Sequence, residues 1–185
     1  MTKQRVLFVV LLGLVLCFLS ITVQADTAEE INQKAFKALE ALYQSSPAAR
    51  ELSRAAKGIL VFPRVIKAGL VYGGLYGEGA LIVNGEPAGY YKFIGGSYGL
   101  QAGLQTFGYA MFFMTDQALA YLQKSKGWEI GVGPSVVVVN KGLAKSLTTT
   151  TAKADVYAFF FNQKGLMAGL GLQGSKISKF TPGGK

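Results

Sequence analysis

From Gly58 onward the chain is written in short runs of Val, Ile, Leu, Tyr and Phe broken by glycine. That pattern constrains the fold more than any other feature. β-Branched and aromatic residues suit strands, and glycine weakens helices. Asn84-Gly85-Glu86-Pro87, between Gly79–Val83 and Gly89–Ile94, predicts a tight hairpin turn. Lys141-Gly142 and Asn162-Gln163-Lys164-Gly165 mark two further turns. The predicted strands lie near 58–62, 67–83, 88–107, 109–114, 129–139, 153–161 and 165–173. Glycines inside them read as bulges or close backbone packing in a curved sheet. Thr148–Thr151 reads as a solvated edge or loop.

The segment before Gly58 has a different period. Ala28, Ile31, Ala35, Leu39 and Leu42 recur at helical spacing, widened by Phe36 and Tyr43, which predicts an amphipathic helix over Thr27–Tyr43. Asp26 or Thr27 caps it, and Glu29 and Glu30 favour the positive end of its dipole. Ser45-Ser46-Pro47 ends this helix and starts a second, Ala48–Ala56. A short third helix begins at Thr115-Asp116-Gln117, with Leu119, Ala120 and Leu122 on its apolar side. The expected fold is α+β: two N-terminal helices, then a curved, mostly antiparallel, barrel-like β domain with one short inserted helix.

The first 25 residues are set apart. Lys3 and Arg5 precede an almost wholly apolar run, Val6–Leu19, and Val23-Gln24-Ala25 offers a cut before Asp26. This is the pattern of a secretory signal peptide, with an uncut anchor as the alternative. Cys17 lies inside the apolar run and follows Leu16, which argues against a lipidation site. The expected organisation is a signal peptide over 1–25 and a single domain over 26–185, exported to the periplasm or secreted, and peripherally membrane-associated. The net charge is +9, of which Lys3 and Arg5 carry two, so the exported form suits an anionic partner.

Composition excludes most enzymatic chemistry. There is no His, and the only Cys is Cys17. Ser-His-Asp and Cys-His catalysis, disulfides and ordinary zinc sites are therefore absent from the expectation. The 10 carboxylates are scattered after Glu51 and form no metal-ligand cluster, so neither metal nor cofactor is expected. A two-carboxylate glycosidase is the remaining enzymatic alternative, with no paired motif behind it.

Gly73-Gly74-Leu-Tyr-Gly77-Glu-Gly79 imitates a phosphate loop, but the next residues, Ala80–Val83, read as strand rather than helix. These glycines are read as structural. The aromatic runs Tyr90-Tyr91, Phe112-Phe113 and Phe159–Phe161 have few cations between them, so they read as core and not as a nucleic-acid platform. Ala-Gly-Leu recurs at 68, 102 and 168, too irregularly for a repeat fold.

One charge cluster stands out. Arg50, Arg54, Lys57, Arg64 and Lys67 fall within 18 residues, offset only by Glu51. They read either as a solvated face or as a headgroup site beside the amphipathic helix. Five cations near an anionic membrane supply about 5 kcal/mol at low salt, a roughly millimolar attraction. Ile31, Phe36, Leu39 and Leu42 of the first helix are the expected membrane-contacting side chains, provided the core leaves that face free.

Several segments together resemble a known family. AKGILVFPRVIKAGL, Ala56–Leu70, looks like the opening signature of the SYLF lipid-binding domain, and GGSYGLQAGLQ, Gly95–Gln105, resembles its central glycine-rich strand. Asp116-Gln-Ala-Leu119 and Gly131-Val-Gly-Pro-Ser135 are similar to its short helix and the strand after it. KGLMAGLGLQGS, Lys164–Ser175, resembles its closing segment. The resemblance implies a non-enzymatic domain that binds anionic phospholipids, notably phosphoinositides, with help from an N-terminal amphipathic helix. Its lysine-containing opening motif maps onto Lys57 and Lys67. Eukaryotic members also bind actin, but an export signal argues against actin and phosphoinositides as native ligands here. The expected partner is an anionic phospholipid membrane, without nucleic acid. A structural or protein-docking envelope domain, which could form homo-oligomers, is the second reading, and a small outer-membrane barrel is a third.

Overall fold

The computed structural model describes residues 26–69, 72–98, 103–139, 141–144, 147, 152–165 and 175–183. Residues 1–25, expected to be a signal peptide, Thr148–Thr151 and most of the closing motif lie outside the described residues.

Helix α1, Ala28–Ser45, begins in a reciprocal cap. The Glu30 backbone N–H donates to Thr27 Oγ1 at 3.3 Å, and Glu30 Oε2 accepts from the Thr27 backbone at 2.8 Å. Helix α2, Pro47–Ser53, is capped by Ser46, whose hydroxyl accepts from the Ala49 backbone at 3.3 Å. Ile31, Ala35, Leu39 and Leu42 of α1 pack with Ala48, Ala49 and Leu52 of α2 against the sheet. This corrects the expectation for α1: Ile31, Leu39 and Leu42 are buried in the core. Of the four side chains expected at the membrane, only Phe36 is exposed, at 41 %.

The sheet has eight strands in the order β5-β8-β3-β2-β1-β4-β7-β6. They are β1 Gly58–Gly69, β2 Tyr72–Val83, β3 Glu86–Tyr98, β4 Gly103–Phe113, β5 Trp128–Glu129, β6 Val136–Val139, β7 Val156–Gly165 and β8 Ser175–Lys179. All neighbours are antiparallel except β6 and β7. Helix α3, Asp116–Lys124, follows β4, and a single helical turn, α4 Lys141–Ala144, follows β6. The β2–β3 turn is the predicted one. Asn84 and Gly85 both have positive φ, 53° and 82°, as a two-residue hairpin turn requires.

Strand boundaries differ from expectation in several places: 109–114 is the end of a strand that starts at Gly103, and 129–139 holds two short strands, β5 and β6. The run 67–83 is two strands, β1 and β2, and 88–107 is also two, β3 and β4. Pro63 does not end β1. The register on both sides shifts between Val61 and Val65, so Pro63 and Arg64 sit in a bulge and the strand continues. Opposite them Gly79 admits the bulged backbone: a Cβ there would lie 2.2 Å from the Val61 carbonyl oxygen.

The sheet curls into a half-barrel. Phe93 on β3 and Tyr109 on β4 are separated by two strands, roughly 14 Å across a flat sheet. Their ring centroids are only 5.5 Å apart. Phe62, Tyr91, Phe107, Phe113 and Trp128 fill the same concave face, which α3 covers through Ala118, Leu119 and Leu122. Helices α1 and α2 cover the first part of the convex face. At one edge of the sheet Asp155 ties two neighbouring strands: its Oδ2 accepts from the Ser135 hydroxyl at 3.0 Å and the Ser135 backbone at 3.2 Å. The Gly131–Ser135 motif therefore anchors the start of β6 to the start of β7.

The Tyr109 hydroxyl is buried without a hydrogen-bond partner, and desolvation raises its pKa above 10.0. Tyr91 is pushed up to about 12 by the same cause. A raised folded-state pKa means that this contribution to stability is complete below pH 10 and is lost as pH climbs towards about 12. Tyr109→Phe removes an unsatisfied group, so it is expected to raise stability by about 1 kcal/mol and to flatten this alkaline decline. Urea denaturation at neutral and alkaline pH measures both.

Candidate membrane-contacting surface

The five cations do not form one patch. Arg50 and Arg54 project from the end of α2, where Arg54 pairs with Glu51 at 2.6 Å. Lys57 lies 3.9 Å from Asp116. Both pairs are largely exposed and are worth little. Arg64 is exposed at the bulge, roughly 20 Å further along β1. Lys67 is only 2 % exposed and faces the concave interior. The cause is alternation: Val65 and Lys67 share a face after the bulge, and Ile66 and Ala68 share the other.

A different surface is assembled at the far end of the strands, beyond the helices on the convex face. One ladder row there reads Lys164, Thr106, Ile66, Tyr76, Ile94 and Lys176 across β7, β4, β1, β2, β3 and β8. The next row adds Leu104, Ala68, Gly74 and Gly96, and Tyr72 lies beyond it. Tyr72 is 76 % exposed and Leu104 58 %, while Tyr76 and Ile94 are about half exposed. Four large apolar side chains thus share one uncovered stretch of sheet, the kind of patch that marks an interaction site.

Charge surrounds this patch. Lys164 and Lys176 stand exposed at its two sides. Below it Arg64, Glu78 and Lys92 form a cross-strand row. Glu78 accepts a short hydrogen bond from the Tyr76 hydroxyl. Burial, then that bond and the negative charges of Glu78 and Asp26, push the Tyr76 pKa up to about 12, so it stays a neutral donor. Asp26 also pairs with Lys34 at 2.6 Å, so the start of α1 belongs to the same charged border.

Among the described residues no group of three His, Cys, Asp or Glu could hold a metal ion. No described helix is long and apolar enough to cross a membrane.

Residues 94–181 match the family model Ysc84, described as Las17-binding protein actin regulator. This is the SYLF family that the sequence resembles. No curated protein matches the chain. Ile94, Leu104, Lys164 and Lys176 fall within the matched SYLF segment, whereas Arg64, Tyr72 and Tyr76 precede it. Sequence reasoning missed this surface because its residues come from separate strands. The available signal was the exposed alternate position in each glycine-rich strand, and reading it required the bulge.

Tyr72→Ser and Leu104→Ser should each leave folding stability within about 0.5 kcal/mol, because the side chains lie on the surface. Phe93→Ala, one strand layer away on the concave face, should cost about 3–5 kcal/mol. Denaturant titration of the three variants checks the contrast.

Proposed function

We propose that the protein binds anionic phospholipid surfaces without catalysing a reaction, as an exported and peripherally attached protein of the cell envelope. The observation that carries this reading is the uncovered apolar stretch of Tyr72, Tyr76, Ile94 and Leu104, bordered by Arg64, Lys92, Lys164 and Lys176. Apolar and aromatic side chains enter the interface while lysine stems reach outward to headgroups. Completing the burial of these four exposed side chains contributes about 4 kcal/mol. Four cations add about 4 kcal/mol at low salt, and the total corresponds to roughly micromolar attachment before orientation costs. Arg50, Arg54 and Lys57 lie at the opposite end of β1, so their role in this reading is long-range attraction and not contact.

The export signal over 1–25 supports an envelope location, where anionic lipids are the available surface. The family description names actin regulation and Las17 binding, partners that an exported chain would not meet. A second reading, docking of a protein or a second copy, is favoured by β6. This strand of four valines is the last in the sheet order and leaves one edge without a neighbour among the described strands.

Sedimentation of the exported form with neutral and anionic vesicles tests the proposal. Binding should require anionic lipid and weaken with salt. It should fall about tenfold or more in Lys164→Glu with Lys176→Glu, the charge reversal removing several kcal/mol, and also in Tyr72→Ser with Leu104→Ser. Binding indifferent to anionic lipid, or unchanged in both variants, would falsify it. A concentration-dependent dimer in light scattering, with no vesicle binding, would favour the second reading.

A further inference from the structure

The concave face ends in a polar layer. Gln105 pairs with Lys67, Lys67 with Leu75, Leu75 with Gly95, and Gly95 with Ser175, so these residues form one row across β4, β1, β2, β3 and β8. Lys67 is 2 % exposed, Gln105 6 % and Ser175 1 %. The row below it, Phe107, Val65, Gly77, Phe93 and Ile177, is wholly apolar. A buried cation, amide and hydroxyl therefore lie in one row of the concave face above an apolar floor, close to the strand ends that carry the convex patch.

Two polar atoms in this layer lack partners. Gln105 Oε1 and Ser175 Oγ are buried and accept or donate no hydrogen bond. Ser175 Oγ does not turn away towards the sheet edge. It lies across Gly95, 2.6 Å from where a Cβ would stand, and Leu75 Cδ1 approaches the same point at 3.2 Å. The hydroxyl is thus directed over β3 towards the strands that carry Lys67 and Gln105. Leaving buried polar atoms unpaired is costly, and a built group of them points to something that pairs them.

We propose that this layer binds a phosphate ester carrying a free hydroxyl. Anionic oxygens meet the Lys67 ammonium and the Ser175 hydroxyl, which donate to them. The ligand hydroxyl donates to Gln105 Oε1, which needs a donor and would stay orphaned against a ligand with acceptors only. The same chemistry occurs in a soluble hydroxylated phosphate ester and in a lipid headgroup such as glycerol phosphate. The lipid source rests on the membrane reading above, since a membrane at the convex patch lies at the same end of the half-barrel. The soluble source does not.

Two experimental arms separate these sources. In the first, glycerol 3-phosphate, inorganic phosphate and glycerol are titrated onto the intact exported protein while the Gln105 side-chain amide is followed by NMR. Glycerol 3-phosphate should shift it saturably, and glycerol should not. Affinity should fall about tenfold in Lys67→Met, as loss of a charged hydrogen bond predicts, and less in Ser175→Ala and Gln105→Leu. The two milder variants keep the test valid if Lys67→Met does not fold. In the second, vesicles containing phosphatidylglycerol are compared with vesicles containing phosphatidic acid, which lacks the headgroup hydroxyl. A preference for phosphatidylglycerol that disappears in Gln105→Leu supports the site with a lipid occupant. Saturable binding in the first arm alone supports it with a soluble one. No saturable shift, together with a lipid preference unchanged in Gln105→Leu and Ser175→Ala, overturns it and leaves the orphaned atoms to water. Loss of vesicle attachment in the convex-patch variants sinks only the membrane reading.

Discussion

Proline has no N–H to give to a β ladder, so a central strand tolerates it only where the ladder is interrupted. Strand β1 lies between β2 and β4 and contains Pro63. Both registers accordingly shift between Val61 and Val65. A bulge bends its strand and increases the local twist. Gly79 on β2 makes room for it, because any side chain there would collide with the Val61 carbonyl. The bend lets Phe62, Phe93 and Tyr109 meet in one aromatic cluster from three different strands. The curl of the half-barrel, and the division of residues between its faces, depend on this interruption.

The bulge also explains what the sequence concealed. Counting alternate positions through Phe62-Pro63-Arg64-Val65 without it assigns the later residues of β1 to the wrong faces. With it, Val65 and Lys67 face inward and Ile66 and Ala68 outward. Lys67 looked like a partner of Arg64 because they are close in sequence, but they occupy opposite faces of one strand. Features fixed by local chemistry were easier to read. Asn84-Gly85 specifies its turn through φ alone, and Thr27 with Glu30 specifies a helix start. The β1–β2 and β3–β4 boundaries were not legible, because glycine occurs both in the strands and at their ends. Strand β8, Ser175–Lys179, has so few apolar residues that only pairing with β3 reveals it.

At the far strand ends the ordinary arrangement of a two-faced sheet is inverted. The convex side, open to solvent, carries Tyr72, Tyr76, Ile94 and Leu104, while the enclosed side carries Lys67, Gln105 and Ser175. Exposing the first group and burying the second are each unfavourable in water. Natural sequences concentrate such local conflicts at functional sites. An anionic lipid interface would relieve both, taking apolar side chains on one face and offering phosphate oxygens to the other. That shared benefit links the two surfaces more firmly than their proximity does.

The amphipathic helix α1 illustrates why exposure, not amphipathicity, has to decide a membrane contact. A stripe such as Ile31, Leu39 and Leu42 looks the same whether it faces lipid or a protein core. Here it faces the sheet, with each of the three side chains buried. Lifting α1 to present them would sacrifice about 1.5–3 kcal/mol per side chain, and insertion into lipid would return a similar amount. The exchange is close to neutral before the sheet face uncovered beneath the helix is counted, and that face includes Ile59, Val61 and Ile82. Exposing it makes undocking unfavourable. The side chains already outside the core carry no such cost, so the strand tips and Phe36 are where this fold can meet a membrane without coming apart.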